Sequence, residues 1–248
     1  MCRRHLKFSI AMLLAISGSA FGGPPFLTDD PEPVEQDHWE FYLATQNVAL
    51  RHEHSGTAPQ VEINYGVHAD VQLHLITSFS YDELAGHDRH FGYGDTELGV
   101  KWRFLHETDW LPQIATFPLV EAPTGNHKLG LGNGKPQYLL PLWLQKSFDH
   151  EKWTVYGGGG YWINNGKDNK NFEIAGLVLQ RRIIKPLSLG AEIFYATPSE
   201  KRGSARTALN AGGTFDITEH HHLLFSAGRD VNGGGRRLSS YFAYQITF

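Results

Sequence analysis

The chain has 248 residues, a formal charge of −4 and 19% charged side chains, and its single cysteine is Cys2. Arg3, Arg4 and Lys7 flank an apolar run from Phe8 to Ser17, and small residues follow to Gly22. That order reads as a secretory leader over 1–22, too short to cross a bilayer as a helix. Its loss leaves 19 basic against 26 acidic residues, a charge of −7 with no cysteine. Nucleic acid is thereby disfavoured as a partner, and disulfide or thiol chemistry is excluded.

Residues 23–37, "GPPFLTDDPEPVEQD", are rich in proline and acid and read as an extended periplasmic tail. No later stretch approaches 18 apolar residues, so no membrane helix is expected. Twelve strands are predicted instead, at 38–50, 58–67, 71–81, 94–105, 112–121, 136–148, 152–162, 171–183, 188–196, 206–216, 221–229 and 237–248. Short connections near 68–70, 106–111, 149–151, 184–187 and 217–220 alternate with longer ones at 51–57, 82–93, 122–135, 163–170, 197–205 and 230–236. An even number of antiparallel strands with short turns at one end and long loops at the other predicts an all-β outer-membrane barrel over 38–248. In hydrocarbon every backbone N–H and C=O must be paired, so the sheet has to close on itself.

The alternation assigns faces. In "DTELGVKWRF", Leu98, Val100, Trp102 and Phe104 share one side, and Glu97, Lys101 and Arg103 the other. A slip by one residue would turn Lys101 and Arg103 into lipid at about 2–4 kcal/mol each near the midplane. In the second strand Val61, Ile63 and Tyr65 read outward, and Glu62 and Asn64 inward. For "EIAGLVLQRR" both faces are apolar, and Ile174, Gly176 and Val178 are assigned to lipid. The ending "YFAYQITF" supplies a closing strand with Phe248 at the rim. Aromatics gather at the predicted strand ends, with Trp39, Trp102, Trp110, Phe148 and Trp153 on the turn side and Tyr81, Tyr93, Tyr161, Trp162 and Tyr195 on the loop side. Two belts fit two bilayer interfaces, whereas a soluble sandwich would bury its aromatics at strand middles.

Three stretches carry a family resemblance: "TDDPEPVEQDHWE" (Thr28–Glu40), "GDTELGVKWRF" (Gly94–Phe104) and "PTG" (Pro123–Gly125) with the following "LGNGKPQYLLPLWLQKSF". They resemble the outer-membrane transporters named for the meta-cleavage pathway of phenol degradation. The resemblance runs through most of the mature chain. It implies a barrel that passes small, often aromatic or apolar, compounds. The glycine expected before His38-Trp39-Glu40 in that family is missing here.

Glu62, Glu97, Lys101, Arg103 and Glu192 are the candidate lumen-lining residues, either paired structurally or selecting solutes. Their mixed charge predicts a wall that discriminates weakly between ions, since charge selectivity needs a ring of one sign. Lys201, Arg202, Arg206, Arg229, Arg236 and Arg237 flank adjacent loops and form a candidate rim for lipopolysaccharide phosphates. His52, His54, His87 and His90 are weak metal candidates, without a fixed ligand spacing. No catalytic residue and no cofactor is assigned. His74, Ser78 and Ser80 share a face, but four residues along a strand is about 13 Å, too far for a base and its nucleophile. "GLGNGK" (Gly130–Lys135) matches neither phosphate-loop pattern. The expected partners are outer-membrane lipid, lipopolysaccharide, small solutes and, during insertion, the barrel-assembly machinery. An outer-membrane barrel enzyme and a plugged structural or binding barrel are the alternatives to a passive channel.

Overall fold

A computed structural model describes residues 24–84, 88–166, 168–232 and 237–248. Fourteen strand segments form one sheet. They are β1 (Trp39–Ala49), β2 (Glu53–His68), β3 (Val71–Leu84), β4 (His90–Tyr93), β5 (Thr96–Leu105), β6 (Gln113–Thr116), β7 (Leu119–Ala122), β8 (Gln137–Phe148), β9 (Trp153–Asn164), β10 (Phe172–Ile184), β11 (Leu187–Ala196), β12 (Arg206–Asp216), β13 (His221–Asp230) and β14 (Leu238–Thr247). Two wall strands are interrupted. Both β4 and β5 pair with β3, through Phe79–Tyr93 and Leu75–Leu98, and they are separated by Gly94 and Asp95. Here the Asp95 carboxylate leaves the wall to accept bonds from Gly125 N (2.8 Å) and Asn133 N (2.6 Å), which tie down the following long loop. Both β6 and β7 lie between β5 and β8, and the break falls at Phe117-Pro118. Proline has no N–H to continue a ladder. The wall therefore has twelve strands, all antiparallel.

Closure comes from β1 and β14, in register from Glu40–Thr247 to Ala49–Leu238. Trp39 and Phe248 exchange two further backbone bonds, of 2.7 and 3.0 Å. The Phe41 and Phe248 rings stack at 5.5 Å. The first and last wall strands are thereby paired, and the outer surface is apolar: Leu43, Leu98, Leu140, Leu177, Ile193, Leu209 and Phe242 all face outward and exposed. A closed barrel with an apolar outer band is the form in which β-structure crosses an outer membrane. Among the described residues no helix is long and apolar enough to cross one.

The expected boundaries shift at the loop end. Most of 51–57 belongs to β2, which starts at Glu53, and 82–93 loses residues to β3 and β4. One expected face is reversed. Val178 is fully buried, Ile174 packs on interior side chains and Gly176 abuts the tail, so these three face the lumen while Leu177 and Leu179 face out. The apolar side chains inside the barrel explain the error, because hydrophobicity alone could not separate the faces of β10. Trp162, expected in the outer belt, likewise packs inward, against a buried apolar cluster and opposite Leu139 on β8.

Candidate functional site: the lumen and the chain segment within it

Many inward positions on the turn-side half of the wall are polar. Gln72, His74 and Ser78 on β3, Lys101 on β5, Gln113 on β6, Gln145 on β8 and Gln245 on β14 are all buried, as are Glu62 and Asn64 on β2. Apolar clusters share the interior with them. Phe117, Leu119, Leu139 and Trp143 form an interior cluster joined by Trp162 and Ile174, and Phe194, Ala196 and Ala208 extend it across β11 and β12. The lumen thus combines acids and amides with apolar clusters, and Phe117 and Leu119 line the same cavity as Glu62, Glu97 and Lys101.

Residues 24–37, expected as a tail outside the wall, run extended within the barrel. The segment leaves the turn end where Asp37 N donates to Gly66 O at 2.7 Å. A Cβ on Gly66 would overlap Glu35 O, so glycine there lets tail and wall backbones meet. Val34 N donates to Gln72 Oε1 at 2.9 Å. Glu32 receives Gln113 Nε2 at 2.9 Å and lies 3.4 Å from Arg103 Nη1. Lys101 Nζ is 3.1 Å from Asp29 Oδ1 and 3.7 Å from Asp30 Oδ1. On the far wall, Glu192 Oε1 accepts from both the backbone N and the Oγ1 of Thr28, each at 2.6 Å, and Asn210 Nδ2 donates to the other oxygen. Ser226 Oγ donates to Pro25 O at 2.5 Å. Thr28, Asp30 and Pro31 are fully buried.

Burial without full compensation raises the Asp30 carboxyl to about 8, against the pull of Lys101 and with a further push from Asp29. Beside the tail, His74 bridges two strands: Nδ1 is 2.6 Å from Asn64 Oδ1 and Nε2 is 3.0 Å from Glu97 Oε1. A cavity of about 520 Å³ reaches from this cluster to the short-turn rim at Trp39, His220 and Phe248. Its size suits a small organic solute.

The five lumen candidates thus lie on one inner surface. Glu62, Glu97 and Lys101 meet around the cavity, Arg103 is bound between Glu32 and Asp70, and Glu192 stands opposite. The expected mixed wall changes character, because the tail acids neutralise Lys101 and Arg103. Two of the rim candidates, Arg206 and Arg237, lie near each other. Arg206 points inward, 3.6 Å from Asp230 and over the Phe194 ring, and Arg237 has a buried Nε. Arg229, Lys201 and Arg202 are exposed, and Arg236 lies outside the described residues. His90 Nδ1 bonds to Leu129 O, His54 sits opposite Glu83, His52 is exposed in the β1–β2 turn, and His87 lies outside the described residues. Among the described residues no group of three ligands could hold a metal ion.

Sequence reasoning missed the interior role of Thr28, Asp29, Asp30 and Glu32. A signal was present, in that an acid-rich segment precedes a barrel whose fifth segment turns two cations inward. Inward glutamines on alternate positions of many strands were a second clue.

A search among curated proteins finds no match. Solved structures share the fold. An outer membrane channel of the COG4313 group from Pseudomonas putida F1 aligns with TM-score 0.76 and 16% identity, covering 88% of this chain and 98% of that one. The KdgM porin aligns with TM-score 0.59 and 10% identity, over 84% and 99% of the two chains. The translocator domain of autotransporter NalP from Neisseria meningitidis gives 0.55 and 10%, over 84% and 88%. The family model described as "Putative MetA-pathway of phenol degradation" matches residues 22–248, and the chain belongs to that family.

Proposed function

We propose that the protein is a passive outer-membrane channel for small solutes, aromatic or apolar compounds among them. The observation that carries this reading is the cavity of about 520 Å³ inside the closed barrel, lined by acids and apolar side chains and open toward the short-turn rim. A barrel that served only as a scaffold would have no need of such a cavity. The family description, with its reference to phenol degradation, and the similar structures titled as a channel and a porin support the same reading. His74 is engaged with Asn64 and Glu97 instead of Ser78 or Ser80, which disfavours hydrolytic chemistry at this site. Burial of the tail favours a second reading, a closed binding barrel.

The short turns and residues 24–37 face the periplasm in this account, and the loop ends face outward. Phe248 completes the terminal strand read by the assembly machinery, and exposed Lys201, Arg202 and Arg229 meet lipopolysaccharide. Reversal potential in a salt gradient, with uptake of a phenolic compound by expressing cells, separates the readings. A channel gives both signals, and a closed barrel gives neither.

A further inference from the structure

Eight of the residues lining the cavity are Asp or Glu, four on the tail and four on the wall and turns, against one lysine and three histidines. That lysine, Lys101, is committed to Asp29 and Asp30. Glu40, Glu62 and Glu97 have other partners: Tyr42 Oη donates to Glu40 at 2.8 Å, Asn64 Nδ2 donates to Glu62 at 3.1 Å, and His74 meets Glu97. No Lys or Arg is ion-paired with these three among the described residues. A carboxylate has room for about four hydrogen bonds, so acceptor capacity is left over.

A second, independent observation points the same way. Asp30 lines the cavity with no measurable exposure, and its Oδ2 has no hydrogen-bond partner. Gln245, whose Nε2 donates to the cavity-lining Tyr42 Oη, also has a buried Oε1 without a partner. Gln245 Oε1 is an acceptor, Asp30 Oδ2 becomes one when the proton that burial holds on that carboxyl is replaced by another positive charge, and a polar atom buried unpaired costs about 1–3 kcal/mol. What the chamber lacks is positive charge to match its acids, since its one lysine is already paired. The other lining is apolar and aromatic, with Tyr42, Ile76, Phe117 and Leu119 on the wall and Leu27 on the tail.

We infer that this cavity is a binding site for small organic cations, aromatic or alkyl ammonium compounds, in which carboxylates hold the charge and the apolar wall holds the hydrocarbon. An aromatic lining attracts cations through its ring faces as well as by burial. The inference rests on the channel reading only in taking the ligand for a transported solute, and binding can be measured without transport.

The test is calorimetric titration of the purified full-length mature protein, in a zwitterionic detergent, with benzyltrimethylammonium. Neutral benzyl alcohol and anionic benzoate serve as comparisons. Saturable cation binding is expected, with both comparisons at least tenfold weaker. Glu62→Gln with Glu97→Gln should weaken it tenfold or more, while the lipid-facing Leu98→Val leaves it unchanged. Because the double variant could misfold, its heat-modifiable migration is checked, and Glu40→Gln provides a separate arm with the same expected direction. Equal affinity for benzyl alcohol, or affinity indifferent to all three glutamates in folded protein, overturns the inference. Binding without conductance would leave the site standing and sink the channel reading. Conductance without cation binding would do the reverse.

Discussion

Gly176→Ala should unseat the chain segment that occupies the lumen. A Cβ at this position would overlap Thr28 Oγ1 and stand 3.0 Å from Thr28 Cβ and 3.2 Å from the Phe194 ring. The ring belongs to a packed cluster, so Thr28 has to yield. Two 2.6 Å bonds from Thr28 to Glu192 are then lost, and charge-assisted bonds contribute about 1.5–3 kcal/mol each. Glu192 keeps Asn210 as a partner, and the freed groups gain water, so the net weakening of docking is about 2–3 kcal/mol. With tenfold per 1.4 kcal/mol, the undocked population rises roughly 30- to 150-fold. Val34→Cys reports on this, because Val34 is buried by the tail's own docking and the mature chain has no other thiol. The labelling rate of Val34→Cys by an impermeant maleimide, measured with and without Gly176→Ala, should rise within that range. Unchanged labelling in a folded double variant would refute the steric and energetic reasoning together.

Docking of the tail should also weaken as pH rises. Asp30 holds its proton to about pH 8 when docked and releases it near 3.8 when free, so docking is strongest below about pH 4. It weakens by at most about 1.4 kcal/mol per pH unit up to about pH 8, and Asp30→Asn should flatten the profile of Val34→Cys labelling. Phe248→Asp removes the stack on Phe41 and places a charge at the barrel seam. A loss of about 1–3 kcal/mol is expected, read as a lower heat-modification midpoint and a smaller outer-membrane yield. Cysteines at Asn126 and Ser204 should react with an impermeant reagent on whole cells, while one at Ala69 stays silent. The opposite pattern would invert the orientation.

The barrel was legible because its outer face obeys one strict rule. Leu98, Val100, Trp102 and Phe104 could not be turned inward without exposing Lys101 to lipid, and the register of β5 follows. Closure of the terminal strand on the first was legible for the same reason, from the alternation of Phe242, Tyr244 and Ile246. The rule fails where both faces are apolar. On β10 the lumen side carries Ile174 and Val178 because packed apolar side chains fill the interior there, so periodicity held no information about direction. The two strand interruptions were hidden because β4 fell in the loop expected at 82–93, and the strand expected at 112–121 ran straight through Phe117-Pro118 until its two halves paired separately with β5 and β8.

The site was half legible. Inward Lys101 and Arg103 followed from the pleat, but their partners Asp29, Asp30 and Glu32 are some seventy residues away in the chain, and no local pattern joins them. A proline-rich acidic segment carries no periodicity, and its extended course is set by bonds to the wall: Gln72, Gln113 and Glu192 each fix one point along it. The charge character of the lumen depends on that course. Counted from the wall alone it is mixed, and with the tail in place the cavity is acidic.

Single-channel recording of the purified mature protein in planar bilayers tests the central claim most directly, with wild type and Gly176→Ala compared in the same salt gradient. The account predicts discrete conductance steps in both, a higher open fraction in Gly176→Ala, and a reversal potential on the cation-preferring side. Silence from both proteins, once each has been shown to be folded and inserted, would contradict it.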